Sequence, residues 1–372
     1  ACWIFNDYII RTSLNGLETI IATFFIITQC WYFYNLYYVK PERKNLNFLW
    51  LGIITGFACF SRVDSGILAL MIGLLILVKE WPHLPALFTR AALYSTGVIA
   101  IFSAWIAYSM YYTGEWYPES GKAVRFLSLA HVDHNPTWRW YLDMILRAGY
   151  EELQQKGFFI ILIIILSVYA FHRKMFSLSL FNPILPLLLF CASILLAYTF
   201  YIFTPWYFDR YFFPLTMLYL LMLALLLNKV AAYTSMRQQT RMYSAIIILW
   251  FAYLLAEGQY ADYFTGGVNK NAGYRNLGIW AKENLPAGTI VGSSQSGALS
   301  YFAPELKVIN LDGVVNKECF ISLVEGRNME YIKEKGIEYV FGWDNNIHFI
   351  KQHSENFKET DLVFIKKLEG FR

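Results

Sequence analysis

The sequence predicts a multi-pass α-helical membrane protein with a C-terminal soluble α/β domain. Three observations lead there. Hydrophobic residues make up 57% of the 372, and the mean hydropathy is +0.38. Charged residues make up 16%, against about 25% in an ordinary soluble domain. Charge density then changes along the chain: residues 261–372 hold 27 charged residues in 112, about twice the density of the first 260.

The helical part comes first. A membrane-crossing helix needs about 20 mainly apolar residues. Eight hydrophobic segments qualify or come close: 17–39, 46–61, 64–79, 91–113, 157–171, 184–203, 211–228 and 242–257. Short spans can be met by a thinned bilayer or inside a bundle. Four connections carry the positive charge: 40–44, 79–90, 172–174 and 229–241 hold ten Lys/Arg against the two acids Glu42 and Glu80. The remaining junctions before residue 260 hold eight Lys/Arg against eleven acids. Basic loops stay in the cytoplasm, and this assignment alternates consistently through all eight segments. The expected location is therefore the inner or plasma membrane of a cell. Loop 114–156 and everything after about residue 258 then lie outside the cytoplasm. Within that loop, NPTWRWYLDMILRAGYEEL has a helix start at Asn135-Pro136 and an apolar/polar repeat. It suits a helix lying in the membrane interface.

Two domains are expected, 1–260 and 261–372. In the second, GYRNLGIWAKENLPAG reads as an amphipathic helix with a Pro/Gly stop. TIVGS, KVINLDG, IEYVFGW and DLVFIKK read as short strands, separated by helical pieces such as RNMEYIKEKG. Alternating strands and helices predict a small α/β layer domain.

Several chemistries are excluded or weakened by what the chain lacks. No GxSxG, HExxH or P-loop occurs, and GSSQSGALS lacks the spacing of a phosphate loop. No basic cluster with interleaved aromatics suggests nucleic-acid binding. The five cysteines show no CxxC or His/Cys ligand spacing and read as small buried hydrophobes. His131, Asp133 and His134 resemble metal ligands on a loop, but two histidines three apart with one acid do not make a set. The start, ACWIFNDYII, reads as the tail of a hydrophobic helix. A fragment without its upstream helices, inactive by itself, is the expectation.

What the sequence does offer is ionisable residues at the outer ends of hydrophobic segments. They lie in NGLET (15–19), FSRVDSG (60–66), TGEWYPESGK (113–122), HVDH (131–134) and FDRYFFP (208–214). Charges at such depth are costly and often functional. The topology places all five stretches on one side, around a cavity at the outer leaflet. Asp209 and Arg210 are notable: they stand where one uncharged run, 175–208, meets another, 211–228.

These stretches resemble the GT-C superfamily of integral membrane glycosyltransferases, which use polyprenyl-phosphate-linked sugars. NGLET is similar to the outer-loop Gly-Leu/Met-Glu-Thr element of bacterial members. GFACFSRVDSGILAL resembles their GLxxLxRPDxxLL hairpin, with Val63 in place of proline. GEWYPESGK resembles GxxxPNxxxxK, with Glu119 where asparagine is common. DRYFFP resembles RYLLP at a helix start, and AKENLPAGTIVGSSQSGALSYF with VINLDGVVN resembles the outer domain. The resemblance spans nearly the whole chain and implies a GT-C-like helical bundle.

It implies transfer of a sugar from a polyprenyl-phosphate donor to a glycan, lipid or protein acceptor at the outer face. The departing lipid phosphate needs cationic stabilisation that strengthens in the transition state. Arg210, with Tyr211 beside it, is the first candidate, because guanidinium grips phosphate bidentately. Lys122 and Arg62 come next. The acceptor hydroxyl needs a base. In the superfamily this is typically an acid in the first outer loop, which is expected upstream of Ala1. Glu18, Asp64, Asp133 and His134 remain as supporting polar groups. A divalent cation, Mg or Mn, is compatible with the leaving phosphate, though no ligand set argues for one.

Each residue also has a structural reading. Arg62 and Asp64 can pair at a hairpin turn, and Glu18 can cap a helix. Arg210 among Trp206, Tyr207 and Tyr211 can be an aromatic-belt anchor, and Lys122 can snorkel. Two other classes compete: a transporter or flippase of lipid-linked sugars, which requires charges buried near the bilayer midplane and broken helices there, whereas here they cluster at one face, and a non-catalytic scaffold with a binding domain.

Overall fold

A computed structural model describes residues 9, 18–39, 43–118, 120–130, 132, 135–175, 177–202, 208–256 and 272–367. Contacts divide the chain into two compact units. One comprises residues 1–117 and 137–260, the other residues 118–136 and 261–372.

The first unit is helical. Its elements are α1 (Thr19–Tyr34), α2 (Asn45–Ser61), α3 (Gly66–Glu80) and α4 (Leu84–Thr113), then α6 (Trp138–His172), α7 (Leu185–Ala197), α8 (Phe213–Ala231) and α9 (Met236–Ala256). Their ends are punctuated as the sequence demands. Pro85, Pro186 and Pro214 sit in first turns, where the missing N–H costs nothing. Gly114, with φ of 74°, closes α4 in the left-handed conformation. Both α1 and α7 end in a turn of π-helix, at Asn35–Val39 and Tyr198–Ile202.

Five helical stretches of this unit are long and apolar enough to cross a membrane: Thr19–Val39, Leu84–Thr113, Trp138–His172, Ser179–Tyr201 and Phe213–Ala231. Asn45–Ser61 is a shorter apolar helix. The chain is thus membrane-embedded and multi-pass by helix length and composition. Segments 64–79 and 242–257 form helices outside that set. The first, α3, has 15 residues, and α9 opens on the polar turns MRQQTR.

The interfacial helix expected within loop 114–156 is not a separate element. Residues 138–156 run straight on into the next segment as one 35-residue helix, α6. The periodic stretch and the apolar run meet without a Pro or Gly pair to part them, so helix propagation carries through. The rest of that loop supplies α5 (Ser120–Ala130) to the second unit.

Apolar surface gives no hydrophobic drive between helices in lipid, so close packing holds them together. The most extensive helix pair is α2 with α4. Gly52 and Gly97 face one another there. A Cβ at Gly52 would lie 2.1 Å from the Tyr94 carbonyl oxygen, and one at Gly97 2.6 Å from that of Leu49. Beside this pair, Phe33, Phe48, Leu51, Leu68, Ile72, Phe190 and Ile194 form one buried cluster.

The second unit is a three-layer α/β/α domain. Strands β1 (Ile290–Ser293), β2 (Lys307–Asn310) and β3 (Tyr339–Phe341) form a parallel sheet in the order β2-β1-β3. On one face, α10 (Ala272–Asn284) and α11 (Ser296–Phe302) bury Leu277, Ala281 and Leu299 with Val291 of β1. On the other, α12 (Lys317–Val324), α13 (Asn328–Glu334) and α14 (Asp344–Gln352) bury Cys319, Leu323, Ile332 and Ile350 against Ile309 and Val340. Phe126 of α5 joins this second cluster, 5.8 Å from the Phe320 ring. Three of the four expected strands form. The fourth, DLVFIKK, does not: residues 361–367 have no ladder partner, and Val363 and Phe364 are 78% and 80% exposed. Its alternating apolar pattern satisfied the sequence rule, but a strand exists only where an edge accepts its hydrogen bonds.

Gly97→Leu forces α2 and α4 apart and is expected to cost about 1–3 kcal/mol. In detergent-solubilised protein this reads as a lowered unfolding temperature, while Gly66→Ala, with nothing within 4 Å, leaves it unchanged. Equal behaviour of the two variants contradicts the glycine contact.

Candidate functional site

Four of the sequence-selected residues converge at one end of the helical unit. The chain leaves α2 at Ser61 and turns through Arg62 and a short 3-10 stretch, Val63–Ser65, into α3. Arg62 is 8% exposed. Its Nε donates to Asp64 Oδ1 at 3.0 Å and its Nη2 to Asp64 Oδ2, a bidentate fork. Its Nη1 donates to the backbone carbonyl of Arg210 at 3.0 Å. The Tyr198 hydroxyl, at the start of the π-helical turn that ends α7, donates to Asp64 Oδ2 at 2.8 Å. That π-turn is an uncommon local winding found often at functional positions. Here it begins at the residue that reaches Asp64.

Arg210 lies in a single helical turn, Phe208–Tyr211, just before α8. Its Nη2 donates to the Tyr211 hydroxyl at 3.3 Å, and its guanidinium lies 5.0 Å from the centre of the Tyr211 ring. The Arg62 guanidinium stands 5.5 Å from the same ring. The Tyr211 ring in turn stacks on Tyr198 at 4.3 Å with an interplanar angle of 13°. Tyr211 is therefore held among two cations and an aromatic partner. Burial opposes the charge on Arg62. The Asp64 carboxylate, with Tyr198 and Glu18 contributing less, more than offsets it and holds the guanidinium above the ordinary arginine value. Glu18 thus acts on this site through space. It occupies the N-cap of α1 without a side-chain cap hydrogen bond, so what it lends that helix start is its charge.

The arrangement divides the candidates by role. Arg62 and Asp64 are engaged with one another, and through Tyr198 and the Arg210 carbonyl they tie α2, α3, α7 and the start of α8 together. They act as positioning residues. Asp64 has both oxygens occupied by hydrogen bonds from Arg62 and Tyr198. Arg210 and the Tyr211 hydroxyl are what the assembly positions. Lys122 lies on α5, in the other unit. Asp133 and His134, with His131 and Glu119, lie outside the described residues. Among the described residues no group of three or more His, Cys, Asp or Glu side chains could hold a metal ion.

A second charged cluster lies at the opposite end of α3. Glu80 is fully buried and bonded to Arg43 and Arg90, with Arg43 Nη1 at 2.9 Å from Oε1. Lys79 Nζ donates to the Tyr38 hydroxyl at 2.8 Å. These residues come from the connections read as cytoplasmic, so the two clusters terminate α3 at its two ends.

One polar feature escaped sequence reading. Glu152 and Lys156 were counted in the outer loop, yet both are buried, at 8% and 1% exposure, and bonded to one another within α6. The Tyr219 hydroxyl of α8 also bonds to Glu152. The i,i+4 spacing of opposite charges was the available signal. Hydropathy begins the apolar run only at 157, so it leaves this pair outside the segment.

Residues 260–368 match the model of a family described as a domain of unknown function, DUF8728. No curated protein matches the chain. No solved structure matches it.

The fork makes a quantitative prediction. Removing one partner of a buried ion pair leaves an uncompensated charge, at about 3–5 kcal/mol, whereas replacing both by apolar groups is often neutral. Asp64→Leu should therefore strongly lower the unfolding temperature in detergent, and Arg62→Met/Asp64→Leu should recover most of the loss. Additive effects of the two substitutions would contradict the coupling.

Proposed function

We propose that this chain acts as a membrane glycosyltransferase that moves a sugar from a polyprenyl-phosphate donor to a glycan, lipid or protein acceptor at the outer membrane face. The observation that carries the reading is Arg210. Its turn opens a membrane-crossing helix, its backbone is held by the Arg62–Asp64 fork, and its guanidinium is seated on Tyr211. A lipid-linked phosphate group presents its charge at that depth of a bilayer. A guanidinium fixed there in advance meets the developing negative charge without reorganising.

In the proposed reaction the acceptor hydroxyl oxygen attacks the anomeric carbon of the donor sugar. The bond from that carbon to the phosphate oxygen breaks, and the phosphate keeps the electron pair. Arg210 and the Tyr211 hydroxyl bind the phosphate oxygens. The hydroxyl proton passes to a base, which the superfamily resemblance takes to be an acidic residue of an outer loop. The positive-inside pattern supports an extracytoplasmic C-terminal domain.

A second reading has one specific observation in its favour. A buried Glu152–Lys156 pair, bonded to Tyr219, is the kind of intramembrane charge that marks a transport pathway. Counting roughly 1.5 Å per residue, Lys156 lies about 24 Å along α6 from His172. Against a hydrocarbon core of about 30 Å, that depth is nearer the outer boundary than the midplane, which makes this the weaker reading.

The two separate in membranes holding the full-length protein, with native lipid extract as donor source. Transfer is expected to fall about 10²–10³-fold in Arg210→Ala, with partial retention in Arg210→Lys, at matched folded protein. Unchanged transfer in Arg210→Ala makes Arg210 an interfacial anchor. Absent transfer in wild type, with lipid-linked sugar crossing the membrane only when Lys156 is intact, supports the transporter.

A further inference from the structure

The C-terminal domain has a cleft of about 440 Å³ at the outer edge of β2 and the turn that follows it. Parallel sheets place ligand sites beyond the carboxyl ends of their strands, and Asn310 is the last residue of β2. The Asn310 side-chain N–H groups are directed to the Ser294 carbonyl and the Ser296 hydroxyl, each at 3.4 Å, and to Asp312. Its Oδ1 is buried and, among the described residues, accepts no hydrogen bond. Asn316 is locked from both ends. Its Nδ2 donates to the Asn310 carbonyl and to the Tyr331 hydroxyl, both at 2.9 Å, and its Oδ1 accepts from the Cys319 N–H at 3.2 Å. Asn316 therefore fixes the Tyr331 oxygen and leaves the phenol proton to donate elsewhere.

The chemistry of the walls selects a ligand class. The only charged lining residue, Lys335, is bonded to Glu318, with its ammonium over the Tyr331 ring. The cleft thus has no uncompensated charge with which to hold an anion. It offers hydroxyl donors from Ser296 and Tyr331. Val308, Ile309 and Val315 line the rest. Hydroxyl partners beside an aliphatic wall fit a molecule with polar edges and apolar C–H faces. We propose that this cleft binds one unit of a neutral saccharide. Choosing a saccharide over another neutral polyol rests on the transferase reading. The site itself stands on the cleft, the preorganised Tyr331 hydroxyl and the Ser296 hydroxyl beside it.

The test is saturation-transfer NMR on the full chain in detergent. The probes are the methyl glycosides of glucose, galactose, mannose and N-acetylglucosamine at millimolar concentration, with glucose 1-phosphate as the charged comparison. At least one neutral glycoside should bind. Affinity should fall about tenfold in Tyr331→Phe, the equivalent of one hydrogen bond. It should fall at least as far in Val315→Arg, which fills the cleft from a position 78% exposed and leaves the fold intact by circular dichroism. Arg210→Ala should leave saccharide binding unchanged whatever its transfer rate, so that failure of the cleft and failure of the transferase reading are distinguishable. Binding by none of the four glycosides, preference for the phosphate, or binding that survives both cleft variants overturns the proposal.

Discussion

A buried charge in a helical membrane unit persists only when it is paired, and the Arg62–Asp64 fork is the pair on which the candidate site depends. Desolvating a guanidinium alone costs several kcal/mol. Asp64 offsets that cost with both oxygens. With its charge compensated, Arg62 can reach from the α2–α3 turn to the backbone before α8. Tyr198 reaches the same carboxylate from α7. One carboxylate thus fixes where three distant stretches of chain meet, and Arg210 and Tyr211 take their positions from that junction.

The opposite end of α3 repeats the logic with the signs exchanged. There a buried carboxylate, Glu80, is neutralised by Arg43 and Arg90 from two connections. Both clusters sit at helix ends, where a long side chain can keep its head near water. Glu152 and Lys156 differ. They neutralise one another along a single helix and are roofed by Tyr219, so they need no water at all. This separates charges that mark a membrane face from a pair that can remain inside.

Much of this was legible in the sequence, and the exceptions share a cause. Apolar run length gave the helices, while the contacts group residues 118–136 with 261–372, which a change in charge density near 260 does not announce. Arg62, Asp64, Arg210 and Tyr211 were legible as a set because ionisable residues at the ends of apolar runs need a reason to be there. Their mutual bonding was not legible, since 148 positions separate Arg62 from Arg210 and pairing at that range is a property of packing. The continuity of α6 was missed because hydropathy ends at 157 while helical hydrogen bonding does not. DLVFIKK was misread because alternation reports a suitable strand and says nothing of a waiting edge. VINLDGVVN and GSSQSGALS contain much of the Asn310 cleft, but the cleft itself was not legible, because β2, the turn after it, α11 and α13 assemble it only in the fold.

The account stands on α4 crossing the membrane with the Arg210 end outside. Its 30 residues span about 45 Å, and its flanks are exposed at His83 and Trp116. Labelling intact cells with a membrane-impermeant maleimide, after His83→Cys or Trp116→Cys substitution in the full-length protein, tests this directly. The account predicts that Trp116→Cys is labelled from outside and His83→Cys only after permeabilisation. Labelling of both from one side would mean that α4 does not cross, and the reverse pattern would put Arg210 in the cytoplasm and contradict the outer-face site.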